Sequence, residues 1–102
     1  MPKYVIEFTA NPAAWPSDPK QLLATWEGVL DGAEMLIKEG LIAEVNWFSG
    51  TEGFAIIEAR AKADAVGIVT PFFPLFSQQI REIVEFDDAK QSIIAGLKKA
   101  VG

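Results

Sequence analysis

Hydrophobic and polar positions alternate from Lys3 to Thr9. Tyr4, Ile6 and Phe8 fall on one side and Lys3, Val5, Glu7 and Thr9 on the other, which predicts a strand with one strongly apolar face. Pro12, Pro16 and Asn11 make the stretch to Ser17 a loop. The period then changes. Asp18 as N-cap, Pro19 in the first turn and Gln21 three residues on predict a helix. Its stripe is Leu22, Trp26, Val29, Ala33, Leu36 and Ile37, and Gly40 ends it with Leu41 placed to fold back on the last turn. Alternation returns over 41–49, with Leu41, Ala43, Val45 and Trp47 opposed to Ile42, Glu44, Asn46 and Phe48. The turn Gly50-Thr51-Glu52-Gly53 leads into a return strand over 54–60, in which Ala55, Ile57 and Ala59 oppose Phe54, Ile56, Glu58 and Arg60. A short helix over 62–70 is limited by Pro71. An apolar loop, Phe72 to Phe76, and a fourth strand over 79–86 follow. Asp87-Asp88 cap a last helix over 88–101, whose stripe is Ile93, Ile94, Leu97, Ala100 and Val101, with Lys98-Lys99 at its negative end.

The order β-α-β-β-α-β plus a helix predicts an α+β fold of ferredoxin-like arrangement over a single domain, 1–102. Its antiparallel sheet takes the spatial order 4-1-3-2, with both helices on one face. The larger aliphatic faces belong under the helices: Tyr4/Ile6/Phe8, Ala43/Val45/Trp47 and Ala55/Ile57/Ala59. The open face then carries Val5, Ile42, Phe48, Phe54 and Ile56 among Glu7, Glu44, Asn46 and Glu58. That apolar patch is on the order of several hundred Å2, more than a monomer usually exposes, so pairing with a second copy is expected.

Composition removes whole classes of chemistry. The 102 residues include no Cys and no His, which takes away disulfides, thiol nucleophiles, the usual Ser-His hydrolases and zinc sites. Nine basic against fourteen acidic residues give a net charge of −5, which offers no footprint for nucleic acid. No apolar run approaches membrane-spanning length, and the start of the chain lacks a secretory pattern, so a cytoplasmic protein is expected. No cofactor and no metal are called for.

Several segments resemble the dimeric α+β barrel superfamily, and within it muconolactone isomerase-like proteins and related small domains of unknown function. They are Glu39-Gly40-Leu41 leading to a Trp47-bearing strand, Ser49-Gly50, Gly53-Phe54-Ala55-Ile56-Ile57-Glu58-Ala59, and Pro74-Leu75-Phe76. The similarity runs from Tyr4 to Phe86 and leaves out the last helix. The resemblance implies a ferredoxin-like homodimer and, as activity, isomerase-like proton transfer on a small acid. It carries no catalytic set onto these positions.

From the residues themselves, Glu7, Glu44 and Glu58 share the open face. Enclosed beside Phe48 and Phe54, one of them would serve as a base taking a proton next to a carbonyl. The alternative is that they are ion-paired with Lys3, Arg60 or Arg81. Arg60 and Arg81, the two arginines, are candidates to hold a substrate carboxylate. Phe54, Phe48 and Phe72 are candidates for an aromatic wall around a small flat ligand. Pro2 would be a secondary-amine base if Met1 were removed, although its place after the start codon accounts for it equally well. Gly28 and Gly32 predict a close approach by another element, the last helix first among them. Three readings follow: cofactor-independent proton transfer on a small acidic or aromatic compound, a non-catalytic ligand-binding or interaction domain, and cofactor-free monooxygenase-like chemistry.

Overall fold

In the computed structural model, which describes residues 1–102, the chain runs β1 (Lys3–Ala10), α1 (Pro19–Lys38), β2 (Glu44–Trp47), β3 (Glu52–Glu58), α2 (Lys62–Val69), β4 (Phe76–Ile83) and α3 (Phe86–Val101). Short 3-10 turns cover Pro12–Ala14 and Thr70–Phe72. All strand pairs are antiparallel, in the order β2-β3-β1-β4. Counted from the β4 edge, the same set of neighbours is 4-1-3-2.

Local chemistry explains where α1 starts and stops. The Asp18 carboxylate accepts a hydrogen bond from the Gln21 N–H at 3.1 Å, and Pro19 occupies the first turn. At the other end Gly40 takes φ +78°, a conformation that favours glycine. The N–H groups of Leu41 and Ile42 both donate to the Leu36 carbonyl, at 3.0 and 3.2 Å. This closing turn corrects the expected strand over 41–49. Ile42 is rotated off the open face and buried beside Leu36, Leu41 and Ala43 stay exposed, and the strand begins only at Glu44.

The other end of the sheet differs from expectation as well. β4 starts at Phe76 rather than 79, because β1 continues to Ala10 and pairs with Phe76 there. Beyond the ladder, the Asn11 N–H donates to the Leu75 carbonyl at 2.8 Å. Glu85, extended at φ −68° and ψ 153°, is the N-cap of α3. Asp87 and Asp88 therefore lie inside the first turn, where they face the positive end of the helix dipole instead of capping it.

The core lies between the sheet and α2. Tyr4, Ile6, Ala55, Ile57 and Ala59 from the sheet side meet Ala65 and Val69, with Ile42 closing one side. No residue of α1 is fully buried. Gly53 sits in β3 where a Cβ would collide with the Asn46 carbonyl oxygen and come within 2.7 Å of the Phe8 ring, so the β2–β3 pair needs glycine for space. The small-residue flank of α1 does not receive α3: nothing lies within 4 Å of a Cβ on Gly28, and Gly32 meets the Phe72 ring at 4.0 Å.

α3 leaves the body altogether. The molecule measures 65 × 27 × 20 Å, and its radius of gyration of 17.4 Å exceeds the roughly 13 Å of a compact chain of this length. α3 has no buried residue, so of the two places expected for its stripe, its own domain or a partner, the first is not taken. No helix is long and apolar enough to cross a membrane.

Candidate functional site

An apolar cavity lies on the helix side of the sheet, beneath α1. It has a volume of about 320 Å3, and thirteen of its fifteen lining residues are hydrophobic. Its origin is a mismatch in side-chain size. α1 turns Val29, Ala33 and Ile37 toward the space, and β3 offers Ala55 as part of the floor. Phe8, Trp47, Phe72 and Phe76 hold α1 off the sheet and the two alanines leave the space between unfilled, while α2 packs tightly through Ala65 and Val69.

Aromatic rings wall one end. Phe8, Trp47 and Phe76 line the cavity, and Trp15 and Trp26 extend the cluster behind them. Phe8 meets Trp47 at 4.9 Å and Phe76 at 5.4 Å, both edge to face, and Trp15 lies 4.4 Å from Trp26. Trp15 is fixed by its indole N–H, which donates to the Leu75 carbonyl at 2.7 Å. All three tryptophans of the chain belong to this wall. The loop Phe72–Phe76 contributes through its two ends, Phe72 and Phe76, while Phe73 between them is exposed.

Two polar side chains reach the lining, Glu34 and Gln78. The Gln78 amide N–H donates to the Val69 carbonyl at 3.0 Å, a bond that leaves its amide oxygen unused. Glu34 is exposed and paired with Lys38 at 3.2 Å, one turn along α1. No Lys or Arg lines the cavity.

The outer face of the sheet carries most of the residues singled out from the sequence. Glu7 forms an ion pair with Arg81, whose guanidinium also reaches Gln79 Oε1 at 3.3 Å. Glu58 lies 4.0 Å from Lys3 and beside it in the ladder. Lys3 also holds Glu85 at 3.1 Å, and that hydrogen bond and charge push the Lys3 ammonium above its usual range, with Glu58 adding to the effect. Glu44 sits next to Ile56 on the β2 edge. The three glutamates occupy three different strands and are separated by Phe54, Ile56 and Val5, so they do not converge on one point. Phe48 and Phe54 stack with ring centres 5.4 Å apart. Arg60 is exposed just beyond β3. Of the eight candidate residues, Phe72 alone lines the cavity. No group of three or more acidic side chains is arranged to hold a metal ion.

What the sequence reading did not foresee is a cavity on the helix side of the sheet. The available signal was the pair of small inward positions, Ala33 and Ala55, set among large neighbours. No protein-family model matches the chain, and no curated protein matches it. The structure defines its class directly: a small α+β protein with a four-stranded antiparallel sheet, compatible with the ferredoxin-like arrangement.

Proposed function

We propose that this chain binds a small, flat, neutral compound of aromatic size in the cavity beneath α1. The observation that carries this reading is the cavity itself, about 320 Å3 in volume and lined by thirteen hydrophobic residues with Glu34 and Gln78 as the polar exceptions. That volume falls at the lower end of the range of ligand pockets, about 300–1,000 Å3. Edge-to-face rings at the wall suit a flat apolar guest. Glu34 at the rim and the absence of a basic side chain disfavour a carboxylate ligand, and the Gln78 amide oxygen suits a hydroxyl donor.

The same features favour binding over proton transfer. Glu34, the one ionisable group of the lining, is solvated and tied to Lys38. Glu7, Glu44 and Glu58 stand on the opposite face of the sheet. The likeness to muconolactone isomerase-like proteins then concerns architecture: a ferredoxin-like chain that pairs with a second copy.

The test is titration with 4-methylphenol and toluene, followed by methyl NMR. Shifts are expected at Ala33, Ala55 and Ile37, with Val5 and Ile56 unmoved. Titrations that move no cavity methyl up to millimolar probe, or that move only Val5 and Ile56, would overturn the reading.

A further inference from the structure

α3 presents an apolar stripe with nothing on it. Phe86, Ile93, Ile94, Leu97 and Val101 are 46–88% exposed, and the helix has no buried residue. The outer sheet face is a second unpartnered surface on the same chain. There Val5 lies between Ile56 and Arg81, Phe54 lies beside Glu7, and Phe48 stacks on Phe54 while remaining 66% exposed. α1 and α2 cover only the other face.

We propose that α3 docks on a second copy of this chain, lying across its outer sheet face over Val5, Phe54 and Ile56, with the exchange made reciprocal by a two-fold axis. One helix stripe and one bare sheet face per chain are satisfied together by such a pair, and no surface of either kind is left over. The dimensions agree. Sixteen residues make a helix of about 24 Å, and four strands make a sheet about 19 Å wide. Five side chains of this type, about two-thirds exposed, offer roughly 200–400 Å2 of apolar surface. Counting the surface covered on the other copy and the reciprocal helix, the buried total is about 800–1,600 Å2, which reaches the range of specific interfaces.

Charge points to the same occupant. α3 carries three lysines against two aspartates, so of the chain's net −5 the rest of the molecule bears −6. Asp87, Lys90 and Lys98 share a helix face with Ile94, and the outer sheet face bears Glu44 alongside Glu7 and Glu58, which are paired with Arg81 and Lys3. An anionic lipid surface, the other common home of an amphipathic helix with lysines, would repel a body of that charge. The cavity is not the docking place, since it lies on the far side of the sheet beneath α1.

The test uses the full chain in sedimentation equilibrium at tens of micromolar. A mass of twice 11.1 kDa is expected. Leu97→Glu should weaken association by about 100-fold or more, the scale of losing a central interface contact. Because the chain has no Cys, Leu97→Cys on one copy and Ile56→Cys on another should yield a disulfide-linked pair on mild oxidation. Any of four results would overturn the proposal: a monomeric wild-type chain, a dimer unaffected by Leu97→Glu, cross-linking of Leu97→Cys only to itself, or a monomer that binds phosphatidylserine vesicles. The cavity belongs to a single chain. The response of Ala33 and Ala55 to 4-methylphenol should therefore survive in the Leu97→Glu variant, and the two readings fail separately.

Discussion

Ala33→Phe tests the cavity by the sign of its effect. Ala33 lies on α1 and lines the same space as Ala55 on β3, and about 320 Å3 is the share of liquid volume taken by about ten water molecules. A benzyl group placed there would bury apolar surface worth about 1.5–3 kcal/mol. Against that stand the lower helix propensity of Phe, about 0.5 kcal/mol, and the ordering of its rotamers. The balance is a gain of about 1 kcal/mol, or a rise in melting temperature of about 4–8 °C for a domain of this size. Urea unfolding gives the free energy, calorimetry the temperature, and the same variant should no longer respond to 4-methylphenol. If α1 instead closed on the sheet, the added ring would overpack the space and cost about 1–3 kcal/mol. A destabilised Ala33→Phe protein, or one that still binds 4-methylphenol at Ala55, would refute the cavity and the function drawn from it.

Gly53→Ala is expected to cost about 1–3 kcal/mol in urea unfolding, because the new methyl meets the rigid Asn46 carbonyl and must displace strand β2. Asp18→Ala removes the cap accepted by Gln21 and should cost about 1 kcal/mol, with Asp18→Asn largely retaining it. Burial raises the Tyr4 phenol above its usual 10.0, and Glu82 and Asp64 add to this, while Lys3 is raised above its usual 10.5. Both contributions are complete below those unfolded-state values and are lost as the pH climbs through the folded-state ones, so stability should fall in the alkaline range. The chain has one tyrosine, so its ultraviolet titration reports Tyr4 alone, and a Tyr4 that ionises at or below 10.0 would contradict its burial.

Much of the fold was legible because the signals that set it are local. The alternation of β1, the Asp18-Pro19 start and the Gly40 stop each act within one turn or one pleat, and each is visible in a few consecutive residues. Errors arose where a local signal was overridden by a turn closing in three dimensions. Ile42 looked like an open-face strand residue because alternation was carried back through 41–43. Two hydrogen bonds to the Leu36 carbonyl change its phase and bury it. β4 begins three residues early because Ala10 extends the partner strand, a fact recorded in β1 and not in β4. Trp15, in a proline-bounded loop, joins the aromatic wall through a hydrogen bond to a carbonyl 60 residues away.

Most of the residues singled out from the sequence fall on the face opposite the cavity for a different reason. Counting apolar residues identifies a surface that needs covering, and Val5, Phe48, Phe54 and Ile56 do form one. A ligand site needs something else, apolar surface that remains unfilled, and that depends on the sizes of side chains that oppose each other across layers. Val5 and Ile56 partly shield one another as ladder neighbours, so the outer face presents a surface without a hollow. Across the inner face, Ala33 and Ala55 leave a hollow that their large neighbours cannot close without moving α1. The periodicity of a helix records which residues face the sheet but not the distance at which the helix rides. In this chain that distance is set by Phe8, Trp47 and Phe76 at one end and by Phe72 against Gly32, and the space they hold open is the cavity beneath α1.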